Sequence, residues 1–282
     1  MRNFVLCFGL LFFAFSCFSQ DENTKKPVNL VYQSTMLGIG SASVYDSYLS
    51  PLKYKGSNFG LFHEQIKMTG MMDGRIAAQH TFSFDFSYST NESETASDYS
   101  GFMEYNYGLQ YRFNPIVPRL QLFAGIQADG MLGFIYNSRN GNNPATGKFH
   151  VNLNLSGMAA YHFQIKSQPV KLRYQMIVPF AGLMFSPHYG QSYYEISLGD
   201  NNDLVHFASF HNQTSMRNIL SVEFPFSSVM LRLSYMNSIY ETDINSLQTR
   251  VHSNTFLVGF SKDFYSVPAK KRPQNKYNGV FD

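Results

Sequence analysis

The chain has no tryptophan and only two cysteines among its 282 residues, Cys7 and Cys17. Both cysteines lie in the first 19 residues, which we predict below to be a signal peptide that is removed. The remaining chain would then have no thiol to form a disulfide, bind zinc or act as a nucleophile. Without tryptophan, any aromatic girdle at a membrane surface must consist of the 19 Tyr and 27 Phe residues.

Long apolar runs and blocks of charge are also missing. After the first 19 residues no stretch approaches 18 uninterrupted apolar residues, so we expect no helical membrane span. The formal net charge is only +3, and basic residues cluster only near the end of the chain, which argues against nucleic acid as a partner. The mean hydropathy of −0.21 is typical of a soluble protein. It is also typical of a transmembrane β-barrel, in which apolar outward and polar inward residues alternate.

The start of the chain has the features of a secretory signal peptide. Arg2 is followed by an apolar run over residues 4–15, small residues near Ser19 and then acidic residues. This order predicts cleavage after residue 19. The apolar run is shorter than the roughly 20 residues of a spanning helix, which disfavours an uncleaved anchor. A lipoprotein with Cys17 as its first residue is a further alternative, although the branched apolar residue usual three positions earlier is absent.

Strict alternation of apolar and polar residues is the strongest signal in the chain. In residues 76–89, Phe82, Phe84, Phe86 and Tyr88 oppose Thr81, Ser83, Asp85 and Ser87. The same pattern recurs in residues 102–113 and 149–166, which indicates strands with one lipid-facing side. Ten spans follow the pattern: residues 29–38, 57–69, 75–89, 100–113, 120–137, 149–166, 171–186, 204–226, 229–241 and 249–265. We therefore predict an all-β, transmembrane, antiparallel up-and-down β-barrel of about 10 strands, with about 8–12 possible, over residues 20–267.

The segments between the spans alternate in length. Residues 72–74, 114–118, 167–169 and 227–228 are compact, whereas residues 91–99, 137–148 and 187–203 are longer and polar. This alternation is typical of the periplasmic turns and outer loops of an outer-membrane barrel. Residues 38–56 fit neither class, so we interpret them as a first outer loop or an inward plug. Residues 268–282 are polar and broken by proline, which predicts a disordered periplasmic tail, with a tail that binds an anionic partner as the alternative.

Charged residues on the polar faces predict the content of the lumen. Glu64 is an exception, because it shares the face of Phe62 and Ile66 and would point to lipid unless a bulge intervenes or it lies beyond the bilayer. A charged pore and a filled lumen of internal ion pairs are both compatible with the pattern. We favour the filled lumen, because a wide aqueous channel needs about 16 strands. The predicted lumen residues are Lys67, Asp85, Glu104, Arg112, Arg173, Arg217, Glu223, Arg232 and Asp263.

A possible catalytic group lies in the span 204–226, where Ser209, His211, Gln213 and Ser215 share a face. A histidine beside a hydroxyl can carry out acyl transfer, and outer-membrane lipases use histidine and serine two residues apart. Here the order is reversed and no third member is evident. Outer-membrane proteases with ten strands use Asp and His pairs at the rim. Asp200, Asp203 and His206 lie at a similar height, but no Asp and His lie two apart on one face. We predict no catalytic residue, no metal and no cofactor.

Three short segments resemble an uncharacterised family of Bacteroidetes envelope proteins, catalogued as a domain of unknown function. They are YDSYLSPLKYKG at residues 45–56, SFHNQ at 209–213 and RVHSNTFLVGF at 250–260. The resemblance implies an exported outer-membrane barrel and brings no activity.

We therefore predict a porin-like barrel of the Gram-negative outer membrane with a structural, binding or narrow-transport role and an unknown ligand. Its partners would be outer-membrane lipid, lipopolysaccharide and the barrel-assembly machinery. A lipid or peptide hydrolase that uses His211 and a soluble periplasmic β-protein are the alternatives.

Overall fold

The computed structural model describes residues 29–114, 117–199, 203–266 and 280–281. The predicted signal peptide lies outside this part of the chain. Within the four described ranges the chain is almost entirely β, with one helix, α1 (Tyr193–Ser197), between β7 and β8. Among the described residues, no helix is long and apolar enough to cross a membrane. The strands are β1 (Asn29–Asp46), β2 (Tyr54–Met68), β3 (Ile76–Asn91), β4 (Ser97–Arg112), β5 (Leu120–Asn137), β6 (Ala145–Ile165), β7 (Gln168–Phe185), β8 (Val205–Ser209), β9 (Gln213–Phe226), β10 (Val229–Ile244) and β11 (Leu247–Ser266).

The strands form a closed antiparallel barrel of ten strands, with β8 as one extra short strand. Neighbours in sequence pair with each other except β8 and β9, which both pair with β7, and β1 pairs with β11 to close the sheet. Following the paired residues from Gly38 through β2 leads to Lys148 of β6, whereas following them through β11 leads to Ala160 of β6, 12 residues away. With about 3.3 Å per residue and about 4.8 Å between strands, this offset gives a strand tilt of ~40° and a backbone radius of ~10 Å.

The two ends of the barrel differ. At the terminal end, β1 begins, β11 ends, and segments 69–75, 113–119, 166–167 and 227–228 connect the strands. At the loop end lie segments 47–53, 92–96, 138–144, 186–204 and 245–246. The longest connection is at the loop end, but the predicted alternation is incomplete, because 245–246 has two residues and 69–75 is longer than 92–96. Both residues of the turns 166–167 and 245–246 have positive φ, a mirror-image turn that matches the twist of paired strands.

The prediction of a loop or plug at residues 38–56 was wrong. β1 continues to Asp46 and β2 begins at Tyr54, so only residues 47–53 form a connection. The extended part of β1 contains Gly38 and Gly40, a residue type that weakens the interior of a strand. The structure explains these glycines, because a Cβ on Gly40 would lie 1.8 Å from the carbonyl oxygen of Asn254 in β11. The small residues therefore allow close packing at the seam between β1 and β11.

The predicted faces are confirmed in β3, β4 and β6 and corrected in β2. In β3, Phe86 and Tyr88 are exposed and Ser87 and Ser89 are buried. In β2, Phe62, Glu64 and Ile66 are among the buried residues, and Lys67 is exposed on the outward face. The predictions that Lys67 points inward and that Glu64 needs a bulge or a position beyond the bilayer were wrong. β2 carries apolar residues on both faces, so apolar content alone selects the wrong one.

The predicted span 204–226 is interrupted by a turn at residues 210–212, which separates β8 from β9. β7 pairs with β9 over residues 171–177 and with β8 over residues 181–185. Residues 178–180 of β7, all of which the structure describes, have no partner in either strand. On its other side, β7 has a register shift against Leu153 and Asn154 of β6, which skips Phe180 next to Pro179.

Candidate functional site

A buried ion network lies across the lumen in the terminal half of the barrel. Its centre is Glu64, which is fully buried and pairs with Arg173 and Arg232, the latter at 2.6 Å between Nη1 and Oε2. The second carboxylate, Glu223, accepts a hydrogen bond of 2.5 Å from the Tyr32 hydroxyl.

Lys171, Ser261 and Arg232 are further polar partners of Glu223, with Arg232 Nε 3.9 Å from Oε1. The Lys171 ammonium lies 3.4 Å from Oε2, and the Ser261 hydroxyl donates to the same oxygen at 2.9 Å. Because β1, β2, β7, β9 and β10 each contribute to the network, it spans the barrel rather than lining one wall. The term ion network below means Tyr32, Glu64, Lys171, Arg173, Glu223 and Arg232.

Four buried glutamines fill the space beside Glu64. The Gln79 amide nitrogen donates to Glu64 Oε1 at 2.6 Å. The Gln79 side-chain oxygen accepts from Gln127 at 2.7 Å, from Gln175 at 2.9 Å and also from Gln110. These side chains come from β3, β4, β5 and β7, so together with the ion network they occupy the cross-section at this level.

Val280 and Phe281 are buried inside the terminal end, next to the ion network. The Phe281 ring centroid lies 5.1 Å from that of Tyr32 in an edge-on contact and 5.9 Å from that of Phe123. The Lys171 ammonium lies 4.8 Å above the Phe281 ring. Residues 268–279 and 282 of the predicted tail lie outside the described residues. Val280 and Phe281, however, are packed in the barrel rather than solvated as the prediction implied.

On the loop side of the network, the lumen contains two adjoining cavities of about 70 Å³ each. We call the two together the central chamber. The Arg217 guanidinium makes two hydrogen bonds of 2.8 Å to the two oxygens of Glu104 in its wall. The residues that line both cavities are Glu104, His150, Arg217, Ser238 and Tyr240. Asp85 and Asn58 line the first cavity; Asp129, Asn152, Asn154, Ile177 and Pro179 line the second.

Negative charge and open hydrogen-bonding atoms characterise the central chamber. Asp85 accepts a hydrogen bond from Asn58 at 3.1 Å. Asp129 accepts from the Asn152 backbone at 3.0 Å and from the Asn154 side chain at 2.8 Å. Among the described residues, the His150 Nδ1 atom, both amide atoms of Asn152 and the Asn154 side-chain oxygen are buried without a partner. Such atoms are costly unless water or a ligand satisfies them.

Hydrogen bonds join the connections at the loop end to one another and to β6. The Tyr48 hydroxyl donates to the Gln191 carbonyl at 2.9 Å, and the Tyr193 hydroxyl accepts from the Gly147 amide at 2.6 Å. Burial raises the pKa of Tyr48 to about 12. Helix α1 begins with a capping box, in which Ser192 and Glu195 bond reciprocally. Hydrogen bonds from the Ser192 backbone and side chain lower the pKa of Glu195.

The structure brings the catalytic candidates Ser209 and His211 together, at 2.7 Å between the hydroxyl and Nδ1. Both lie on the outward surface, where the His211 ring stacks on Phe207. The turn also explains the contact, because Asn212 bonds back to the backbone of Ser209 and Phe207. Within the described ranges, no carboxylate bonds to His211. The prediction that Gln213 and Ser215 share the face of Ser209 was wrong, because the turn reverses the parity and Gln213 is buried.

The other candidates are placed as follows. Asp85, Glu104, Arg173, Arg217, Glu223 and Arg232 point inward as predicted. Arg112 and Asp263 lie at the terminal end, where the Asp263 carboxylate is 3.5 Å from the Val280 amide. Asp203 lies 3.8 Å from His188 and 3.9 Å from His206, and Asp200 is outside the described residues. In the part of the chain that the structure describes, no group of three or more His, Cys, Asp or Glu could hold a metal ion.

The sequence reasoning missed Glu64, Lys171, Asp129 and His150. The last three lie on the polar faces of strands that alternate cleanly, so consistent counting along β5, β6 and β7 would have found them. Glu64 carried no such signal, because its neighbours on the same face are apolar.

These features define the class of protein: a closed antiparallel barrel with exposed apolar residues outside and buried polar residues inside. The chain belongs to the family described as Protein of unknown function (DUF3316), whose sequence profile matches residues 4–271. This confirms the predicted membership of a family of unknown function. A comparison with curated protein sequences found no match.

Solved structures with similar folds are outer-membrane barrels. The transport unit of the autotransporter AIDA-I from Escherichia coli is 9% identical, with a TM-score of 0.47, over 92% of this chain and 97% of that chain. The outer membrane protease OmpT from Escherichia coli is 9% identical, with a TM-score of 0.42, over 87% of this chain and 99% of that chain. Neisserial surface protein A is 10% identical, with a TM-score of 0.36, over 83% and 97%. The strand registers of this chain define its fold.

Proposed function

We propose that the protein is a non-conducting outer-membrane β-barrel with a structural or binding role in the envelope. The observation that carries the proposal is the ion network with its four glutamines, which fills the lumen at one level. A solute that crosses the barrel would have to displace buried, paired charges, each of which is costly to leave unpaired. This favours a structural or binding role over narrow transport.

The outward surface supports a membrane location. Ile39 of β1 and Phe256 of β11 face each other across the seam and have exposed fractions of 73% and 66%, and Leu132 of β5, on another part of the wall, is 60% exposed. Exposed apolar surface around a whole barrel is unfavourable in water and favourable in lipid. The predicted signal peptide is consistent with export to the outer membrane.

Conductance tests the closed lumen. The purified barrel, reconstituted in planar bilayers, is expected to show no conductance steps, whereas reproducible steps would overturn the proposal. The folded state should first be verified by a heat-dependent shift in gel mobility. Resistance to carbonate extraction is expected as well, and extraction by carbonate without a mobility shift would instead favour a soluble periplasmic β-protein.

A lipid hydrolase is the second candidate, and the observation in its favour is the 2.7 Å contact between Ser209 and His211. It predicts turnover of lipid A or phospholipid by the purified barrel. This turnover should be lost in His211→Ala and Ser209→Ala and retained in His252→Ala, which removes another outward histidine near the loop end. Unchanged lipid in the presence of the wild-type barrel would remove this candidate.

A further inference from the structure

The barrel wall has a gap beside the central chamber. β9 leaves β7 after the pair of Arg217 and Ile177, and β8 joins β7 only at Ala181. The three β7 residues between them lack partners on this side, and Pro179 has no amide hydrogen to donate. We call this place the wall gap, formed by residues 178–180 of β7 and 213–216 of β9.

The second cavity of the chamber reaches the wall gap. Its lining includes Ile177 and Pro179 of β7, Met216 of β9 and Ile239 of β10, in addition to the polar chamber residues. Met216 and Ile239 alternate with inward residues of their strands and so belong to the outward face. The cavity therefore has a polar inner part and an apolar part at the wall.

The charge of the chamber favours a cationic occupant. Among the described lining residues there are three carboxylates, Asp85, Glu104 and Asp129, and one guanidinium, which is already paired with Glu104. The chamber also contains the His150 imidazole, whose Nε2 lies 3.5 Å from Asp129 Oδ1. A buried carboxylate without a cationic partner is costly unless it gains a proton or a bound cation.

Two of the four unpartnered atoms of the chamber are oxygens, and these favour a ligand with a small head group that donates hydrogen bonds. The unpartnered side-chain oxygens of Asn152 and Asn154 are acceptors, and an ammonium group has three donors. The described residues provide no cluster for a metal ion. Each cavity of about 70 Å³ is several times the ~10–15 Å³ that one water needs, and well below a drug-sized site of ~300 Å³ or more.

We propose that the central chamber binds the primary ammonium group of an amphiphilic amine, with Asp129 as counter-ion and the alkyl chain in the wall gap. Entry of the ligand's alkyl chain from the membrane rests on the proposed function, whereas binding of its ammonium group does not. The ammonium could belong to a membrane lipid or to a free alkylamine.

The first experiment measures binding to the full barrel in phosphatidylcholine nanodiscs. Hexylamine, hexanol and hexanoate are titrated, and binding is followed by isothermal calorimetry and by the unfolding temperature. Saturable binding of hexylamine alone is expected. Equal responses to all three probes would mean partition into apolar surface and would overturn the proposal, as would no saturable binding of hexylamine.

Substitution tests the site. Asp129→Asn is expected to weaken hexylamine binding at least tenfold, while Asp243→Asn, which removes an exposed carboxylate of β10, leaves it unchanged. A second variant, Met216→Trp, should fill the gap and weaken hexylamine more than ethylamine. Unchanged hexylamine binding by the folded Asp129→Asn barrel would overturn the proposal.

Native mass spectrometry distinguishes the two sources of the ammonium group, a membrane lipid and a free alkylamine. Retention of phosphatidylethanolamine in preference to phosphatidylcholine, lost in Asp129→Asn, identifies a lipid as the ligand. Hexylamine binding without such retention identifies a free amine. Both results support the ammonium site, and neither depends on whether the barrel conducts, so failure of this proposal differs from failure of the proposed function.

Discussion

Glu64 connects more strands across the lumen than the alternation pattern of the sequence indicates. It pairs with two guanidinium groups and accepts a hydrogen bond from Gln79, so its two oxygens connect β2 with β3, β7 and β10. The ion network contains three cations and two carboxylates. Loss of Glu64 would leave the two arginines buried with Glu223 as the remaining carboxylate.

We expect Glu64→Gln to lower the free energy of unfolding by about 3–5 kcal/mol, the usual cost of removing one partner of a buried ion pair. Arg232→Met should cost less, because Glu64 then keeps Arg173. Urea unfolding in lipid vesicles measures both. Lys67→Gln, on the outward face, is the control and should change the value by less than about 0.5 kcal/mol. A larger loss for Arg232→Met than for Glu64→Gln would contradict this account.

Glu195 allows a test of the helix cap at the loop end. Its pKa is lowered by hydrogen bonds from Ser192, so the cap is fully present above the ordinary glutamate value of about 4.3 and is lost as the pH falls through the folded value. NMR titration should place the midpoint of Glu195 below that of the same residue in Ser192→Ala. Equal midpoints in the two proteins would show that the capping box does not form.

At the scale of elements, Phe281 connects the end of the chain to the barrel. Its ring is fully buried against Tyr32 and Phe123, and the cations of Lys171 and Arg173 lie over it. We expect Phe281→Ala to lower the free energy of unfolding by about 3–5 kcal/mol. The matched control is Phe113→Ala, because Phe113 lies at the same end with 44% of its surface exposed. Equal effects would mean that Phe281 does not pack inside the barrel in solution.

Strands were predictable where one face is apolar and the other is not. In β3 the alternation of Phe and Ser residues fixes the register, and both ends of β5 coincide with the prediction. β2 was misread because Phe59, Leu61, Phe62 and Ile66 occupy both faces. Pairing with β1 and β3 decides its orientation, and this long-range information is absent from a single strand.

The break between β8 and β9 was not predictable from alternation. Residues 204–226 keep enough apolar character to suggest one strand, but Asn212 bonds locally to the backbone of Phe207 and Ser209 and forms a turn. The same turn decided the candidate site, because it placed Ser209 outside and Gln213 inside. The network around Glu64 and the wall gap likewise depend on contacts between strands far apart in sequence.

At the scale of the whole molecule, the exposed apolar residues form a band on the outer wall, which we call the apolar belt. The height of this belt differs around the barrel. On β5, Ile126, Leu132 and Phe134 are exposed along most of the strand. On β9, β10 and β11, three outward asparagines form a hydrogen-bonded row: Asn237 bonds to Asn218 at 3.3 Å and to Asn254 at 2.9 Å. The row indicates that the apolar belt is lower on this side of the barrel.

Substitution of a charged residue into the apolar belt tests whether the barrel lies in a membrane. Ile126→Arg should cost about 2–4 kcal/mol of folding free energy in lipid vesicles, as expected for arginine near the bilayer midplane. Asn254→Arg should cost less, because its neighbours are already polar. Urea titration of the folded barrel measures the difference. In a water-soluble barrel both changes would stay within about 0.5 kcal/mol, and such a result would rule out the membrane belt.

The seam between β1 and β11 has a consequence for the rate of folding. All 18 residues of β1 pair with β11, and every pair joins residues more than 200 positions apart. Contacts at such separation form slowly, and until they form, both strands present open edges that can pair with other chains. We therefore expect unassisted refolding to be slow and prone to aggregation. A folding catalyst that binds the edge of β1 until β11 pairs with it would shorten the period in which these edges are exposed.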